Sequence, residues 1–403
     1  MRQPSRRNFW LNLAGGSGLV MAWEFGNPQL VLPWISHHLP AAYILVALLV
    51  PLYQGGLVAS QLLVAPLVAR MSLRKQAVST IGLVLAGLFA LIYAIASVAT
   101  PALAAVSLLL CAGLVGVSFG VLNITTSDLQ AKTVARRVRG KVLAQGTAIG
   151  GALTLCATFL IWTLVPDLAG NHLILLWLAV GGWLGFAAAY RAVREVPSET
   201  VAKQSGLALV RQGLSLVTLY PWFSRYIAAR VLLLSVELSV PFYAIHAASM
   251  HGPSARNLSV FVVAMSLGMI LGGPVWGRLL DRHTSAVAVS GALLVAVIGV
   301  GVLVMDQLGD PAAPFTHAFL FLPLAFAVDG VIHARIRWIS VKAPAADRPA
   351  LLALSSALLA CAGILVALAL GAAGHLHDIR TPLVILIALN VVAAIYVARV
   401  FGE

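Results

Sequence analysis

The sequence predicts an all-α membrane protein of twelve transmembrane helices, arranged as two pseudo-symmetric six-helix bundles with both termini in the cytoplasm. Composition is the first observation: 61% of the 403 residues are hydrophobic, 10% are charged, and the mean hydropathy is +0.97. Such a chain lacks the polar surface of a soluble protein. Apolar windows of about 20 residues, long enough to span a bilayer as a helix, recur along the chain. The third observation is a glutamate at a matching place in each half.

The predicted spans follow one another closely, with a single long polar segment in the middle. The first six are predicted at residues 9–33, 41–65, 77–99, 102–124, 142–165 and 172–190. The second six are predicted at residues 223–247, 257–276, 284–306, 314–333, 350–373 and 380–400. The polar segment 191–222 begins as a solvated linker, and its later apolar spacing predicts an amphipathic helix on the inner membrane surface. We therefore assign residues 1–190 and 223–403 to the two bundles.

The basic residues are distributed as expected for a membrane protein of this topology. The chain carries a formal charge of +13, which by itself is also typical of nucleic-acid-binding proteins. However, 24 of the 26 Lys and Arg residues fall at the ends or loops that are cytoplasmic if the N-terminus is cytoplasmic. This asymmetry follows the positive-inside rule. It indicates a multi-pass protein of the cell inner membrane, with the lipid bilayer and not nucleic acid as its partner.

Two glutamates interrupt apolar spans. Glu24 in WEFGNP and Glu237 in VELSVP lie 213 positions apart, each four residues before a proline, Pro28 or Pro241. An ionisable group in a membrane helix costs about 2.5 to 3.5 kcal/mol on insertion scales, so it marks a functional site by default. A poorly hydrated carboxyl could carry a proton or bind a cationic substrate. The alternative is a carboxylate that only packs two helices. Each proline is expected to kink its helix beside the acid.

Two loops also repeat one another. The loop after span 2 reads APLVARMSLRK and the loop after span 8 reads GRLLDRHTS; aligning Arg70 with Arg282 gives an offset of 212, close to that of the glutamates. The segment Gly277, Arg278, Leu279, Leu280, Asp281, Arg282 resembles the loop motif of the major facilitator superfamily. The first-half copy departs from that motif, because alanines occupy the places of its glycine and aspartate.

A further short motif resembles the same family. Arg139 and Gly140 are similar to the arginine and glycine that commonly precede span 5 there. The resemblance implies alternating access of two halves around a substrate site near the midplane. It also implies that Asp281 and Arg282 latch the outward-open state. The alternative for these two charges is a solvated turn that only fixes topology.

Polar and aromatic residues near the glutamates are expected to outline a substrate cavity. These candidates are Trp23, Asn27, Tyr53, Gln54, Tyr243 and His246. Aromatic side chains are also common as interface anchors, which is the alternative for several of them. In span 10, Asp329 and His333 lie four residues apart and so share a helical face. They are candidates for a proton relay or a substrate counter-ion, unless Asp329 simply pairs with an arginine.

Span 5 contains GTAIGG, which resembles part of the antiporter motif of drug exporters, with Thr147 in place of the proline. Gly146 and Gly150 equally suit close helix packing. The short histidine clusters have too few ligands for a metal site, and the chain has no phosphate-binding loop. We therefore expect no metal, no cofactor, no ATP hydrolysis and no enzymatic activity.

These observations predict a monomeric secondary active transporter that moves a small-molecule substrate, coupled to protons through Glu24 or Glu237. Export by proton antiport is slightly favoured, because aromatic and acidic residues share the expected cavity and GTAIGG resembles an antiporter motif. Proton-coupled uptake of a nutrient or metabolite is the alternative within transport. A non-transporting membrane sensor or assembly partner that keeps the fold is the alternative of another class.

Overall fold

The computed structural model describes residues 6–38, 43–69, 71–164, 171–197, 205–252, 254–307 and 314–401, and the regular elements in these ranges are α-helices. The N-terminal helices are α1 Arg6–Phe25, α2 Val31–His38, α3 Tyr43–Ala69, α4 Arg74–Val98, α5 Pro101–Thr133, α6 Arg136–Leu164 and α7 Ile174–Arg191. The C-terminal helices are α8 Gly206–Leu216, α9 Pro221–Leu232, α10 Leu234–Met250, α11 Ala255–Gln307, α12 Pro314–Phe319, α13 Phe321–Lys342, α14 Arg348–Leu376 and α15 Thr381–Val400. Within the described residues, ten helical stretches are long and apolar enough to cross a membrane by length and composition.

Several predicted spans are divided in the structure. The first is interrupted between α1 and α2 by a turn that contains Pro28. The seventh is interrupted at Leu233, between α9 and α10, whereas Pro241 lies inside α10, which continues through it. The helix is therefore not interrupted at Pro241, and the kink expected there stays a prediction. Almost every side chain of α10 is buried, and we attribute the continuity of this helix to those tertiary contacts.

Helix α11 covers both the eighth and the ninth predicted spans. It has one residue with non-helical backbone angles, His283, at φ −136° and ψ 45°. The predicted loop motif immediately precedes this residue. The connection is thus a sharp bend at a helix junction, with no extended loop.

The helices pack as two groups. In the N-terminal group, α3 packs on α5, α1 on α6 and α7, and α4 on α5 and α7. In the C-terminal group, α11 packs on α13 and α15, and α10 packs on α15. The groups meet where α3 contacts α14, α6 contacts α11, and α2 contacts α10. The linker helix α8 lies against α14 and α3, so it touches both groups.

Aromatic contacts join the groups at the end of the bundle that holds Trp34. The Trp34 ring lies 5.0 Å from that of Phe261, measured between centroids. The Trp162 indole donates a hydrogen bond of 2.8 Å to the Ser259 hydroxyl, and its ring lies 5.8 Å from that of Phe315. These contacts close the interface between the groups at this end.

The close packing of α1 against α7 can be tested by substitutions at two adjacent glycines of α7. A Cβ added at Gly182 would lie 2.8 Å from the Ala22 Cβ and 2.9 Å from the Gly18 carbonyl oxygen, whereas one added at Gly181 meets nothing within 4 Å. Gly182→Ala should therefore destabilise the protein by about 1 to 3 kcal/mol through overpacking. Gly181→Ala should leave stability unchanged or raise it, because alanine favours the helix. Thermal unfolding of both purified variants checks this; equal melting temperatures would contradict the packing.

Candidate functional site

Glu24 lies in a cavity between the two helix groups. The cavity has a volume of about 240 Å³ and is lined by parts of α1, α5, α6 and α11, namely Leu19, Val20, Trp23, Glu24, Phe119, Thr147, Gly151, Ser266, Met269 and Ile270. The Glu24 side chain is buried, and Ser266 from α11 lines the same cavity. Its Oε2 atom has no hydrogen-bond partner among the described residues. This acid therefore shares a cavity with the opposite helix group and has no basic partner in the described part of the chain.

The turn after Glu24 is fixed by Asn27. The Asn27 side-chain oxygen accepts a hydrogen bond of 2.8 Å from the Gln29 backbone N–H, and its carbonyl accepts one of 2.8 Å from Val31. These bonds satisfy backbone donors at the start of α2, a role for which asparagine is well suited. Asn27 thus positions the end of α1 and does not line the Glu24 cavity, contrary to the sequence prediction.

Glu237 lies in a second cavity, of about 180 Å³, on another part of the interface between the groups. Residues of α3, α9, α10, α13 and α14 line it, so both helix groups contribute. The Arg335 guanidinium donates a hydrogen bond to Glu237 Oε1, and both side chains are buried. The two glutamates therefore occupy separate cavities, and only Glu237 has a cationic partner of this kind in the described part of the chain.

Arg230 is a second cation in the Glu237 cavity. It is 8% exposed, and one of its terminal nitrogens donates a hydrogen bond of 2.8 Å to the Ser355 hydroxyl. Its guanidinium also lies over the ring of Tyr226, 5.8 Å from the centroid. Among the described residues, Arg230 forms no ion pair with a carboxylate, and its Nε atom has no hydrogen-bond partner.

The sequence analysis missed both arginines, because it counted them among the cytoplasmic helix ends. In the structure α9 begins at Pro221 and α13 ends at Lys342, which puts Arg230 nine residues and Arg335 seven residues inside their helices. At 3.6 residues per turn this is about two turns or more. For Arg230 this depth was also visible in the sequence, because the predicted span 223–247 contains it and a cation so far inside an apolar helix needs a partner. Arg335 lies beyond the predicted span 314–333 and gave no such signal.

Gln54 and Trp23 line the cavities as the sequence predicts for cavity residues. Gln54 belongs to the Glu237 cavity and Trp23 to the Glu24 cavity. Tyr53 instead is buried, with its ring centroid 5.8 Å from that of Trp23 and 6.2 Å from that of Phe119. Tyr53 thus packs against the aromatic wall of the Glu24 cavity.

Tyr243 and His246 do not line either glutamate cavity. The Tyr243 hydroxyl donates to the Val295 carbonyl at 3.3 Å, inside the C-terminal group. His246 lies nine residues after Glu237, and at about 100° per residue this turns it to the opposite face of the helix. The two cavity predictions are therefore corrected, and helical geometry gives the reason for His246.

His246 belongs to a separate polar cluster at the Trp34 end of the C-terminal group. Its Nε2 atom lies 3.8 Å from Asp306, which also pairs with Arg380. Nearby, the ring nitrogens of His251 and His317 are 3.3 Å apart. The described residues contain no group of three or more His, Cys, Asp or Glu side chains arranged to hold a metal ion.

Asp329 and His333 come together on one face of α13. The distance from the Asp329 carboxylate to His333 Nδ1 is 3.3 Å. The carboxylate faces α11, since a Cβ added at Gly272 would lie 3.2 Å from Asp329 Oδ2. The His333 side chain is about half exposed. The pair thus lies at the contact between α11 and α13, away from both glutamate cavities.

The structure describes the side-chain environment of only some of the loop-motif residues. Arg278 and Arg282 are exposed beside the bend at His283. Gly277 and Asp281 belong to helix α11, but the side-chain environment predicted for Asp281 lies outside the described part of the structure. Arg70 also lies outside the described residues.

Arg139 has a local structural role. It donates hydrogen bonds of 3.1 and 3.3 Å to the carbonyls of Ala131 and Val134, where α5 ends. The last carbonyls of a helix lack intrahelical partners and attract cations. Arg139 therefore caps α5.

Gly146 and Gly150 lie where α6 packs against α1. A Cβ added at Gly150 would lie 2.7 Å from the Ser17 carbonyl oxygen, and one added at Gly146 would lie 3.6 Å from Gly16. Close helix packing therefore accounts for both glycines without an antiporter motif.

Comparison of the sequence with known proteins identifies relatives of undetermined function. No family model matches the chain. Uncharacterized proteins of Mycobacterium tuberculosis and Mycobacterium bovis are each 29% identical over 290 residues. The matched region covers 70% of this chain and 55% of each relative, so the chain spans only about half the length of these relatives.

Solved structures of transporters match the fold of this chain over nearly its whole length. The nucleoside transporter NupG matches with a TM-score of 0.67 at 12% identity, covering 99% of this chain and 100% of that one. A D-xylose-proton symporter matches with a TM-score of 0.66 at 14% identity, covering 96% of each chain. A POT family transporter in complex with 5-aminolevulinic acid also has a TM-score of 0.66, at 11% identity, covering 98% and 97%.

This chain has the major facilitator fold. The agreement extends over nearly the whole chain, so it covers both helix groups and the linker between them. At these identities the likeness concerns the fold alone, and the three neighbours named above are transporters. The major facilitator resemblance that the loop motif indicated is confirmed at the level of the fold.

The buried pair of Glu237 and Arg335 should couple the two residues energetically. Glu237→Gln leaves two buried guanidiniums without a counter-charge, and breaking such a pair costs about 3 to 5 kcal/mol. The double variant Glu237→Gln, Arg335→Gln should recover part of this loss, because it removes one charge of each sign. Denaturant unfolding of the single and double variants measures the coupling. Additive effects would contradict a direct pair.

Proposed function

We propose that the chain is a proton-coupled secondary active transporter that moves a small solute across the cell inner membrane by alternating access. In this proposal, residues 1–190 and 223–403 form two six-helix bundles that rock about the interface containing both cavities. The segment 191–222 links them on the cytoplasmic side, and twelve spans leave both termini cytoplasmic. The major facilitator fold and the two cavities between the helix groups support this function.

The position of Glu24 carries the proposal. Its carboxyl is buried in the interface, and Ser266 of the opposite helix group lines the same cavity. An ionised carboxylate only accepts hydrogen bonds, whereas a protonated carboxyl also donates one. Ser266 already donates a bond of 2.9 Å to the Val262 carbonyl, so its oxygen is oriented to accept from protonated Glu24. Protonation thus changes a contact between the two groups, which is what coupling requires.

Glu237 takes the other role in this proposal. Arg335 neutralises it directly, so its charge is balanced without a proton. Gln54, Arg230 and Arg335 give its cavity several groups that can orient a polar solute. We therefore assign proton transfer to Glu24 and solute binding to the Glu237 cavity.

Export in exchange for protons is the direction that the sequence favours, and uptake together with protons is the alternative. One structural neighbour is a D-xylose-proton symporter, which is consistent with the proton as coupling ion. The two directions move protons with opposite sign relative to the solute. A sensor that keeps the fold would transport no solute. The unpaired charges of Glu24 and Arg230, in two cavities between mobile halves, would then have no function.

Glu24→Gln should abolish proton movement driven by solute in liposomes containing the purified protein, because the amide cannot release a proton. The external pH is recorded while pools of small solutes are added, after thermal stabilisation has selected solutes that bind. The wild type should give a pH change whose sign distinguishes antiport from symport.

Asp378→Asn is the matched control, since it also replaces a carboxylate by an amide but at an exposed position. This variant should behave as the wild type. Proton movement of unchanged amplitude in Glu24→Gln would contradict the assignment. Loss in both variants would show that the assay reports general damage and not the role of Glu24.

The proposed topology predicts where reporters will be active. A fluorescent reporter that folds only in the cytoplasm should be bright when fused after Glu403 or inserted in the 198–204 segment. It should be dark when inserted near Gly252, between the seventh and eighth predicted spans. Fluorescence at all three sites, or darkness at the C-terminus, would contradict an even number of spans with cytoplasmic termini.

A further inference from the structure

We infer that the Glu237 cavity binds a small organic anion, whose acidic group lies against Arg230. This inference rests on the proposed function and adds to it the chemical class of the solute. It departs from one of the two roles that the sequence left open for the glutamates, the binding of a cationic substrate. The site consists of three buried charged residues at the interface of the two helix groups.

The charges of the cavity do not balance. Among the described residues that line it, Arg230 and Arg335 contribute two positive charges and Glu237 one negative charge, which leaves a formal charge of +1. Glu237 is already bonded to Arg335. A buried charge without a counter-charge is costly in an apolar interior, so the excess cation needs an anion. A bound anionic solute supplies it.

Arg230 has the geometry to receive that anion. The Ser355 hydroxyl and the Tyr226 ring hold its guanidinium in place, although neither neutralises it. Its Nε atom is buried and lacks a hydrogen-bond partner among the described residues. Guanidinium groups bind carboxylates through two parallel hydrogen bonds, and a fixed guanidinium loses little entropy on doing so.

The rest of the lining selects an organic body over an inorganic ion. Apolar side chains from α3, α10 and α14 surround the charged groups; they are Val50, Leu57, Val58, Leu234, Leu238 and Leu359. The cavity volume is about 180 Å³. A cavity of about 150 Å³ holds a benzene molecule, so this one suits a solute near the size of benzoate. The expected solute thus has a small apolar body and one acidic group.

Matched sets of small molecules test the inference by thermal stabilisation and titration of the full chain in lipid nanodiscs. Each set contains a monocarboxylate of benzoate size, such as benzoate itself, with its neutral amide and its amine. Inorganic phosphate is included to separate an organic anion from a simple ion. Acids should stabilise the protein, and amides, amines and phosphate should not.

Substitutions at Arg230 distinguish the contribution of its charge to acid binding from the contribution of its packing. Arg230→Gln keeps a donor for Ser355 but removes the charge, and should weaken acid binding at least tenfold, as loss of a charged hydrogen bond does. Arg230→Lys should bind acids more tightly than Arg230→Gln and more weakly than the wild type, because it keeps the charge but loses the pair of parallel hydrogen bonds. Arg225→Gln, at an exposed position of the same helix, is the matched control and should bind as the wild type.

The outcomes distinguish this inference from the proposed function. Binding of acids by Glu24→Gln without proton movement would support the anion site and the proton role of Glu24 together. Stabilisation by amines or amides equal to that by acids, undiminished acid binding in Arg230→Gln, or no stabilisation by any acid would overturn the anion site. None of these three results would affect the flux assay, which tests proton coupling independently.

Discussion

The constraint that organises this protein is the high free energy of a charge in an apolar helical bundle. Most buried charges satisfy it by pairing within one helix group, as Glu237 does with Arg335 and Arg74 with Asp128. Glu24 and Arg230 are the exceptions in the described part of the chain, and both lie at the interface between the groups. In the proposed mechanism, the remaining partners of these two side chains come from outside the protein: a proton for the acid and an anionic solute for the base.

In the proposed function, this arrangement separates proton transfer and solute binding in space. Glu24 lies in a cavity formed by α1, α5, α6 and α11, whereas Arg230 lies in one formed mainly by α3, α9, α10, α13 and α14. Both cavities change shape when the helix groups move, because each is lined from both sides. Occupancy of either site therefore biases the same conformational equilibrium, which is the thermodynamic requirement for coupling. The aromatic contacts of Trp34 and Trp162 join the groups at the end that must separate in the alternate state.

Sequence reasoning predicted a helical membrane protein and the burial of Glu24, because hydropathy and charge placement depend on the membrane and not on the details of packing. The predictions of cavity residues were wrong where they depended on the direction in which a side chain points. His246 and Glu237 lie on opposite faces of α10, which the spacing of nine residues could have revealed. Arg335 lies just beyond the predicted span 314–333, since hydropathy places span ends only to within a few residues, whereas Arg230 lies inside the predicted span 223–247 and was still counted with the cytoplasmic ends. Nothing in the sequence indicated that Asn27 would cap α2, because that depends on where the helix is interrupted.

The separation of proton and solute sites is tested most directly by comparing solute exchange with gradient-driven accumulation in the same liposomes. Exchange of a labelled bound acid for the unlabelled acid requires the solute site and alternating access but no net proton transfer. Glu24→Gln should therefore retain exchange and lose accumulation driven by a pH gradient, whereas Arg230→Gln should lose both. Equal loss of exchange and accumulation in Glu24→Gln, or full accumulation in that variant, would contradict the account.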